Sequence, residues 1–462
     1  VTGGVLTADA AGAITIDSTV ASADISTSAA GAVDLDETNA ITLTDLDTTD
    51  GTITVDAGGA LTVTDVATGN NNAIALTTSS GDITGLATVN AGSGDVTLNS
   101  AGAIADDGST GTVVTGGVLT ADAAGAITID STVASADIST SAAGAVDLDE
   151  TDGITLTDLD TTDGSITVDA GGALTVTDVA SGTNGNISLT TTSGDITGLA
   201  TVNAGSGDVT LNSAGAIADD ASAATVVTGG VLTADAAGAI TIDSTVASAD
   251  ISTSAAGAVD LDETDGITLT DLDTTDGSIT VDAGGSIVAT AVDSADAGSD
   301  ETHAVILTAS TGDVTIGAIT SDSTLTIVAT AGSINDAGDD TTTDLTSTTN
   351  AIVLTAQDEI GGNAAVMSTD TAGAIEVAAN SALDVSSTAV GGIVVSGAGA
   401  LTLSDLDTTD GAITVDAGGL ITATDVVAGG STGDSVTLST TTGGAVATLS
   451  LIHISEPTRL RR

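Results

Sequence analysis

The chain has 462 residues, 41% of them Ala, Val, Ile, Leu or Met, with no Phe, Trp, Tyr or Cys. It carries 64 acidic against three basic residues, a formal net charge of −61. Nothing in it can neutralise phosphate, which excludes nucleic acid and anionic membrane surfaces as partners, and a mean hydropathy of +0.40 excludes a disordered acidic tail.

Every apolar contact must therefore be aliphatic, in thin layers that need no large ring. Seven of the acids are Glu and 57 are Asp. Asp belongs in turns rather than on helix surfaces, so many turns and few helices are expected. The lack of cysteine is compatible with an exported protein that needs no disulfide. No stretch approaches the ~20 apolar residues of a membrane span. The chain opens at Val1 in mid-repeat, so its native N-terminus is expected to lie upstream.

In chain order, short alternating runs recur: Val5–Asp9, Ala13–Asp17, Ala32–Asp36, Thr52–Asp56, Ala73–Thr77 and Asp95–Asn99. Apolar and polar residues alternate with period two, the signature of a half-buried strand. Gly, Asp, Asn and Ser bound each run. From Ala13 through Ala32, Thr52, Ala73 and Asp95 the starts follow one another at steps of 19, 20, 21 and 22. A longer period encloses the short one. Val1–Thr38 recurs unchanged at Val114–Thr151 and Val227–Thr264, a period of 113. The phrase DLDTTDG starts at Asp45, Asp158, Asp271 and Asp405, so its last gap exceeds the two before it by 21, the size of one such step. This predicts that one coil-sized unit has been inserted.

The last residues change character. Leu449 to Arg459 resembles the conceptual translation of a transposase sequencing adapter, and all three basic residues and the only Pro lie in or beyond it. Residues 449–462 are therefore set aside as non-native, and the reading frame is expected to be truncated at both ends.

Two architectures accommodate many short strands. An immunoglobulin-like sandwich per 113-residue unit would need a core ~10 Å thick, filled here without any aromatic ring. A parallel β-helix of about 20 residues per coil needs only a slender aliphatic interior, and its doubly paired strands explain the missing Pro. The reading is an all-β parallel β-helix solenoid, continuous over residues 1–448. Each 113-residue unit makes five to six coils, and ~22 coils span on the order of 100 Å. Gly81–Asp106, repeated at Gly194–Asp219, and the phrase AGAITID resemble the repeat regions of filamentous-haemagglutinin-like exoproteins and related bacterial β-strand-repeat adhesins. That resemblance implies a right-handed parallel β-helix, export to the bacterial surface, and adhesion to host-cell, glycan or matrix ligands. The family's secretion domain and its Asn-Pro motifs have no counterpart here.

Acidic clusters are the only candidates for chemistry. Asp45, Asp47 and Asp50 recur as Asp158/Asp160/Asp163, Asp271/Asp273/Asp276 and Asp405/Asp407/Asp410. An EF-type calcium loop wants acids at its first, third and fifth positions, whereas these fall at the first, third and sixth. They read as solvated turn acids, with calcium and other divalent cations as the natural counter-ions. Identical acids lie several coils apart, beyond the ~8 Å Debye length, so those copies are not expected to repel one another. His303, beside Asp300 and Glu301, reads as a turn residue. One His without Cys gives neither a metal ligand set nor a nucleophile–base pair. The pairs Gly3-Gly4 and Gly58-Gly59 lack a following helix and cradle no phosphate. Thr-x-Thr pairs (Thr42/Thr44, Thr52/Thr54, Thr62/Thr64) would bind ice only if their ladders stayed aligned, which the drifting coil length argues against. No catalytic, cofactor-binding or metal-ligating residue is assigned. The chain reads as a non-enzymatic adhesin-like stalk. The alternatives are a passive filament of a surface layer or biofilm matrix assembled with calcium, and a polysaccharide-active β-helix.

Overall fold

The computed structural model describes residues 1–222, 224–294, 302–338, 342–349, 351–362, 373–430, 434–441 and 444–448, and the backbone of 452–454. No helix occurs among them, and their strands pair in parallel between successive coils, roughly 20 residues apart. The chain divides into two compact units, Val1–Gly230 and Val231–Arg462. The antiparallel sandwich is excluded and the parallel solenoid stands.

The strands begin one residue later than the alternating runs suggest: Ile14–Ser18, Val33–Glu37, Ile53–Ala57, Ile74–Thr78 and Val96–Ser100. The pleat sends alternate side chains inward. Val33 and Leu35 are buried while Asp34 and Asp36 face out. Each inward residue stacks on its counterpart one coil away.

In the first unit these stacks form three columns. One runs Ile14, Val33, Ile53, Ile74, Val96, Leu119 and Ala136. A second runs Ile41, Leu61, Ile83, Ile104, Ile127, Val146, Ile166, Ile187 and Val209. A third takes Leu46, Val66, Val89 and Val114 to Ser131. Ile127 repeats Ile14, yet it stands in the second column rather than the first. Five coils carry Ile14 to Leu119, and the next strand along the chain holds Ile127. A 113-residue copy is therefore about five and a third coils, and each copy starts one face further round. All three columns accept the same residues because each is an inward row of aliphatic side chains.

The second unit is built likewise. One column runs Ile240, Val259, Ile279, Val305, Leu325, Ile352, Leu383 and Leu403. Another runs Leu272, Val292, Ile319, Leu345, Val377 and Gly397. Leu406, the counterpart of Leu272, again falls one face on, beside Val385. The longer final gap is thus no inserted coil. The steps from Val292 to Ile319, Ile319 to Leu345 and Leu345 to Val377 are each longer than that from Leu272 to Val292. The strands of those coils stay in register across the longer steps. Ile452–Ile454, set aside on sequence grounds, pairs its backbone with Val426–Ala428. The remainder of 449–462 lies outside the described residues.

The corners are closed from inside. The last inward residue of many strands is Thr or Ser, whose hydroxyl donates to a carbonyl in the following turn: Thr27 to Gly31 (3.0 Å), Thr78 to Gly81 (2.9 Å), Ser100 to Ala103 (2.9 Å) and Thr161 to Gly164 (2.6 Å). These bonds satisfy hydroxyls that water cannot reach. Glycine serves where one turn lies against the turn of the coil before it. A Cβ on Gly58 would come 1.9 Å from the Thr38 carbonyl oxygen, whereas one on Gly3 would meet nothing within 4 Å. Gly58→Ala is expected to cost roughly 1–3 kcal/mol of unfolding free energy and Gly3→Ala nothing measurable. Urea denaturation followed by circular dichroism checks the pair.

Candidate functional site: acidic ladders and turn carboxylates

The DLDTTDG acids do not all sit on turns. Asp45 and Asp47 lie on the strand Ile41–Thr48, which continues past a bulge at Thr44, and only Asp50 is in a turn. The alternation breaks at Thr44-Asp45, where the bulge lets the strand run on, so Asp45 and Asp47 are strand acids and not the turn acids expected. Asp45 faces Asp24 in the preceding coil, and the pattern recurs as Asp158 on Asp137, Asp271 on Asp250 and Asp405 on Asp384. Burial, then Asp45 and Asp65, push the Asp47 carboxyl above its usual range. Asp160, Asp273 and Asp407 are raised in the same direction, burial first and acidic neighbours second.

Acids from different parts of the repeat also stack. Asp17, Asp36 and Asp56 stand in register on consecutive coils, as do Asp130, Asp149 and Asp169, and Asp243, Asp262 and Asp282. Identical copies such as Asp17 and Asp130 stay apart, but acids from other parts of the repeat stand beside each of them. At a ladder spacing of ~4.8 Å two exposed carboxylates repel by about 0.9 kcal/mol in water. Burial and then the acids of its own and flanking coils raise Asp36, and burial and Asp169 raise Asp149. Another row breaks the repulsion with a hydroxyl. Ser26 lies between Asp9 and Asp47 and donates to Asp9 (2.6 Å), and Ser139 donates to Asp122 (2.5 Å) in the same way.

The sixth-position acid takes a partner from the next coil. Asp50 accepts from Asn72 Nδ2 (3.2 Å), Asp163 from Thr183 Oγ1 (3.5 Å), and Asp276 Oδ1 lies 2.9 Å from His303 Nε2. His303 does sit ahead of a strand, but its described acidic neighbours belong to flanking coils rather than to its own turn. Asp300 and Glu301 lie outside the described residues.

Three glutamates escaped the sequence reading although the pattern held a signal. Val33-Asp34-Leu35-Asp36-Glu37 puts Glu37 at an inward position, and Glu37, Glu150 and Glu263 are each 3% exposed. Glu37 Oε2 accepts from Ser18 Oγ (2.6 Å) and Val20 N (3.0 Å), and Oε1 from Asn39 N (3.1 Å). Burial pushes Glu37 up, but the bonds from Ser18, Val20 and Asn39 outweigh it and hold the carboxyl below its ordinary range. At Glu263 burial outweighs the same set of bonds and raises the group.

Two further features were invisible in the sequence. Asp336, Asp344 and Glu376 converge with ligand atoms within 4.8 Å of one another, and Asp344 and Glu376 are buried. Asp336 and Asp344 belong to one coil, whose strands Ile334–Asp336 and Leu345–Ser347 both pair with Val314–Ser321, and Glu376 comes from the next coil; no spacing rule links the three. The donor set is all-oxygen, the kind a hard divalent cation takes, and the Glu376 amide donates to Asp344 Oδ2 (2.8 Å). A groove of about 240 Å³ is lined by Ser109, Thr110, Thr112, Asp130, Asp149 and Thr151 among others. Thr112 Oγ1 bridges Thr132 Oγ1 (3.0 Å) and Thr151 Oγ1 (2.8 Å) along it. These residues offer hydroxyls and carboxylates without a cationic or aromatic side chain.

The Thr rows stay aligned despite the drifting coil length: Ser22, Thr42, Thr62 and Thr84 are in register because the turns absorb the difference. The second member of the pair does not join them in a flat plane, since Thr44 Oγ1 donates to the Ala23 carbonyl (2.7 Å). No family model, curated protein or solved structure matches the chain.

The raised ladder acids bind protons more readily in the folded chain than in the unfolded one. Their contribution to stability is therefore full below the unfolded value of 3.8 and is lost as pH rises through the higher folded value. Glu37 acts oppositely: its contribution is full above its unfolded value of 4.5 and is lost as pH falls through its lower folded value. Urea midpoints in low salt should peak in mild acid and fall toward pH 7. Asp149→Asn should raise the pH 7 melting temperature by roughly 2 °C and flatten that slope, with the gain disappearing near 1 M NaCl.

Proposed function

We propose that the chain is the display and adhesion region of an exported, adhesin-like bacterial surface protein, and that it is not an enzyme. One observation carries this reading. Successive copies in the first unit present the same outward residues from successive faces, as the Asp17–Asp36–Asp56 row in one column and its counterpart Asp130–Asp149–Asp169 in the next. Such an arrangement multiplies a surface in several directions, which suits avidity for a repetitive ligand better than it suits a single reaction centre. The resemblance of the repeat phrases to filamentous-haemagglutinin-like exoproteins supports the same reading. The natural ligands are host-cell, glycan or matrix surfaces. The purified chain, arrayed on beads, should bind a subset of a glycan and matrix panel more than tenfold above beads bearing an unrelated acidic protein. Uniform background across the panel and on cultured cells would refute adhesion.

A passive filament of a surface layer or biofilm matrix has its own support. The in-register acid rows raise the cost of bringing two chains together unless cations intervene. Under that reading millimolar calcium produces reversible light scattering without any ligand, and EDTA abolishes it. A polysaccharide-active β-helix would show instead as turnover on the same glycan panel, lost when the acids of one DLDTTDG cluster become Asn.

A further inference from the structure

In three copies of DLDTTDG the sixth-position acid meets a side chain from the next coil, and of these partners only that of Asp276 is ionisable. His303 lies between two coils. Its Nε2 is 2.9 Å from Asp276 Oδ1 on one side, and its Nδ1 is 3.3 Å from Asp322 Oδ2 on the other. The imidazole is 12% exposed and the Asp322 side chain 7%. Asp322 uses its second oxygen to accept from Thr348 Oγ1 (3.1 Å), which extends the chain of contacts to a further coil. The His303 carbonyl accepts from Ser294 Oγ, Ser321 Oγ (both 3.1 Å) and Ser323 N (2.9 Å). The residue thus ties the lead-in of strand Val305–Ala309 to the coils on both sides. It does so where the step from Ile279 to Val305 is longer than the step that follows, from Val305 to Leu325.

A neutral imidazole has one N–H, and its other nitrogen is an acceptor. Facing two carboxylates, a neutral ring can donate to only one and turns a lone pair toward the other. A doubly protonated ring donates to both and places its charge between them. Among the described residues, the charged groups facing the ring from the flanking coils are Asp276, at the end of strand Ile267–Asp276, and Asp322, directly after strand Val314–Ser321. Thr302 Oγ1 is the neutral group beside Nε2 (3.3 Å).

We propose that His303 is a proton-operated clamp: its imidazolium bridges Asp276 and Asp322 and fastens the widened coil, and loss of the proton releases it. Histidine changes charge between about pH 5 and 8, so the clamp closes in mild acid and opens as pH rises. The equivalent contacts at Asp50 and Asp163, made by Asn72 and Thr183, do not depend on a proton. The device gives the contact at Asp276 a proton dependence that its counterparts at Asp50 and Asp163 lack.

Hydrogen–deuterium exchange of the full chain at pH 5.5 and pH 8.0, corrected for intrinsic exchange, tests this. Peptides covering 302–329 should open about tenfold more readily at pH 8.0, while those covering 61–90 change little. His303→Gln should remove the difference, and Asp322→Asn should reduce it. Nitrogen-15 NMR of the unaltered chain should show both His303 ring nitrogens protonated at pH 5.5, which keeps the test valid if a variant folds poorly. A ring carrying one proton at pH 5.5, or the same pH response in His303→Gln as in the parent chain, overturns the proposal.

Discussion

The structure rests on in-register parallel pairing between one coil and the next. An inward aliphatic side chain is buried only because its counterpart in each flanking coil covers it. Val33 illustrates this, standing in register between Ile14 and Ile53 one coil to either side. A coil alone has no core, so stability resides in the stack, and nearest-neighbour terms dominate. This explains why a chain without a single aromatic ring folds. The interior is a narrow bundle of Ile, Val, Leu and Ala columns, and side chains of that size fill it. It also explains why the strands tolerate no Pro, since each internal strand spends its N–H groups on a neighbour.

The same pairing imposes a cost on the outside. A residue in register inside brings its flanking residues into register outside, so Asp36 must stand between Asp17 and Asp56. The chain has almost no cations with which to offset this. It uses interposed hydroxyls such as Ser26, and amide or hydroxyl donors such as Asn72 and Thr183. Elsewhere the carboxyls take up the strain by shifting toward the protonated form. Glu37 follows another route, since enclosed carboxylates are kept charged only where two or three donors converge on them.

Because constraint lies in the strands, freedom lies in the turns. Coil length varies without disturbing the ladder, as Thr42, Thr62 and Thr84 show. That freedom lets a 113-residue copy occupy a non-integral number of coils. Identical sequence then meets a different column in the next copy and fits it equally well, because the three columns ask for the same inward pattern. It also lets the widened coils of the second unit carry His303 and the Asp336, Asp344 and Glu376 group without loss of register.

Much of the fold was legible in the sequence because alternation is a local property. Ile14–Ser18 or Val33–Glu37 declares its inward side by its own residues, and the missing aromatics and Pro select the solenoid over the sandwich. Even Glu37 was readable from its phase in the run Val33–Glu37. What the sequence left open is everything that depends on which residue lies one coil away. The offset of Ile127 from Ile14 by one face, the stacking of Asp17 on Asp36, the pairing of His303 with Asp276 and Asp322, and the meeting of Asp336 with Glu376 all depend on turn lengths accumulated over a coil. No local pattern encodes that sum. Only the closed coil, held by its ladder of backbone hydrogen bonds, decides it.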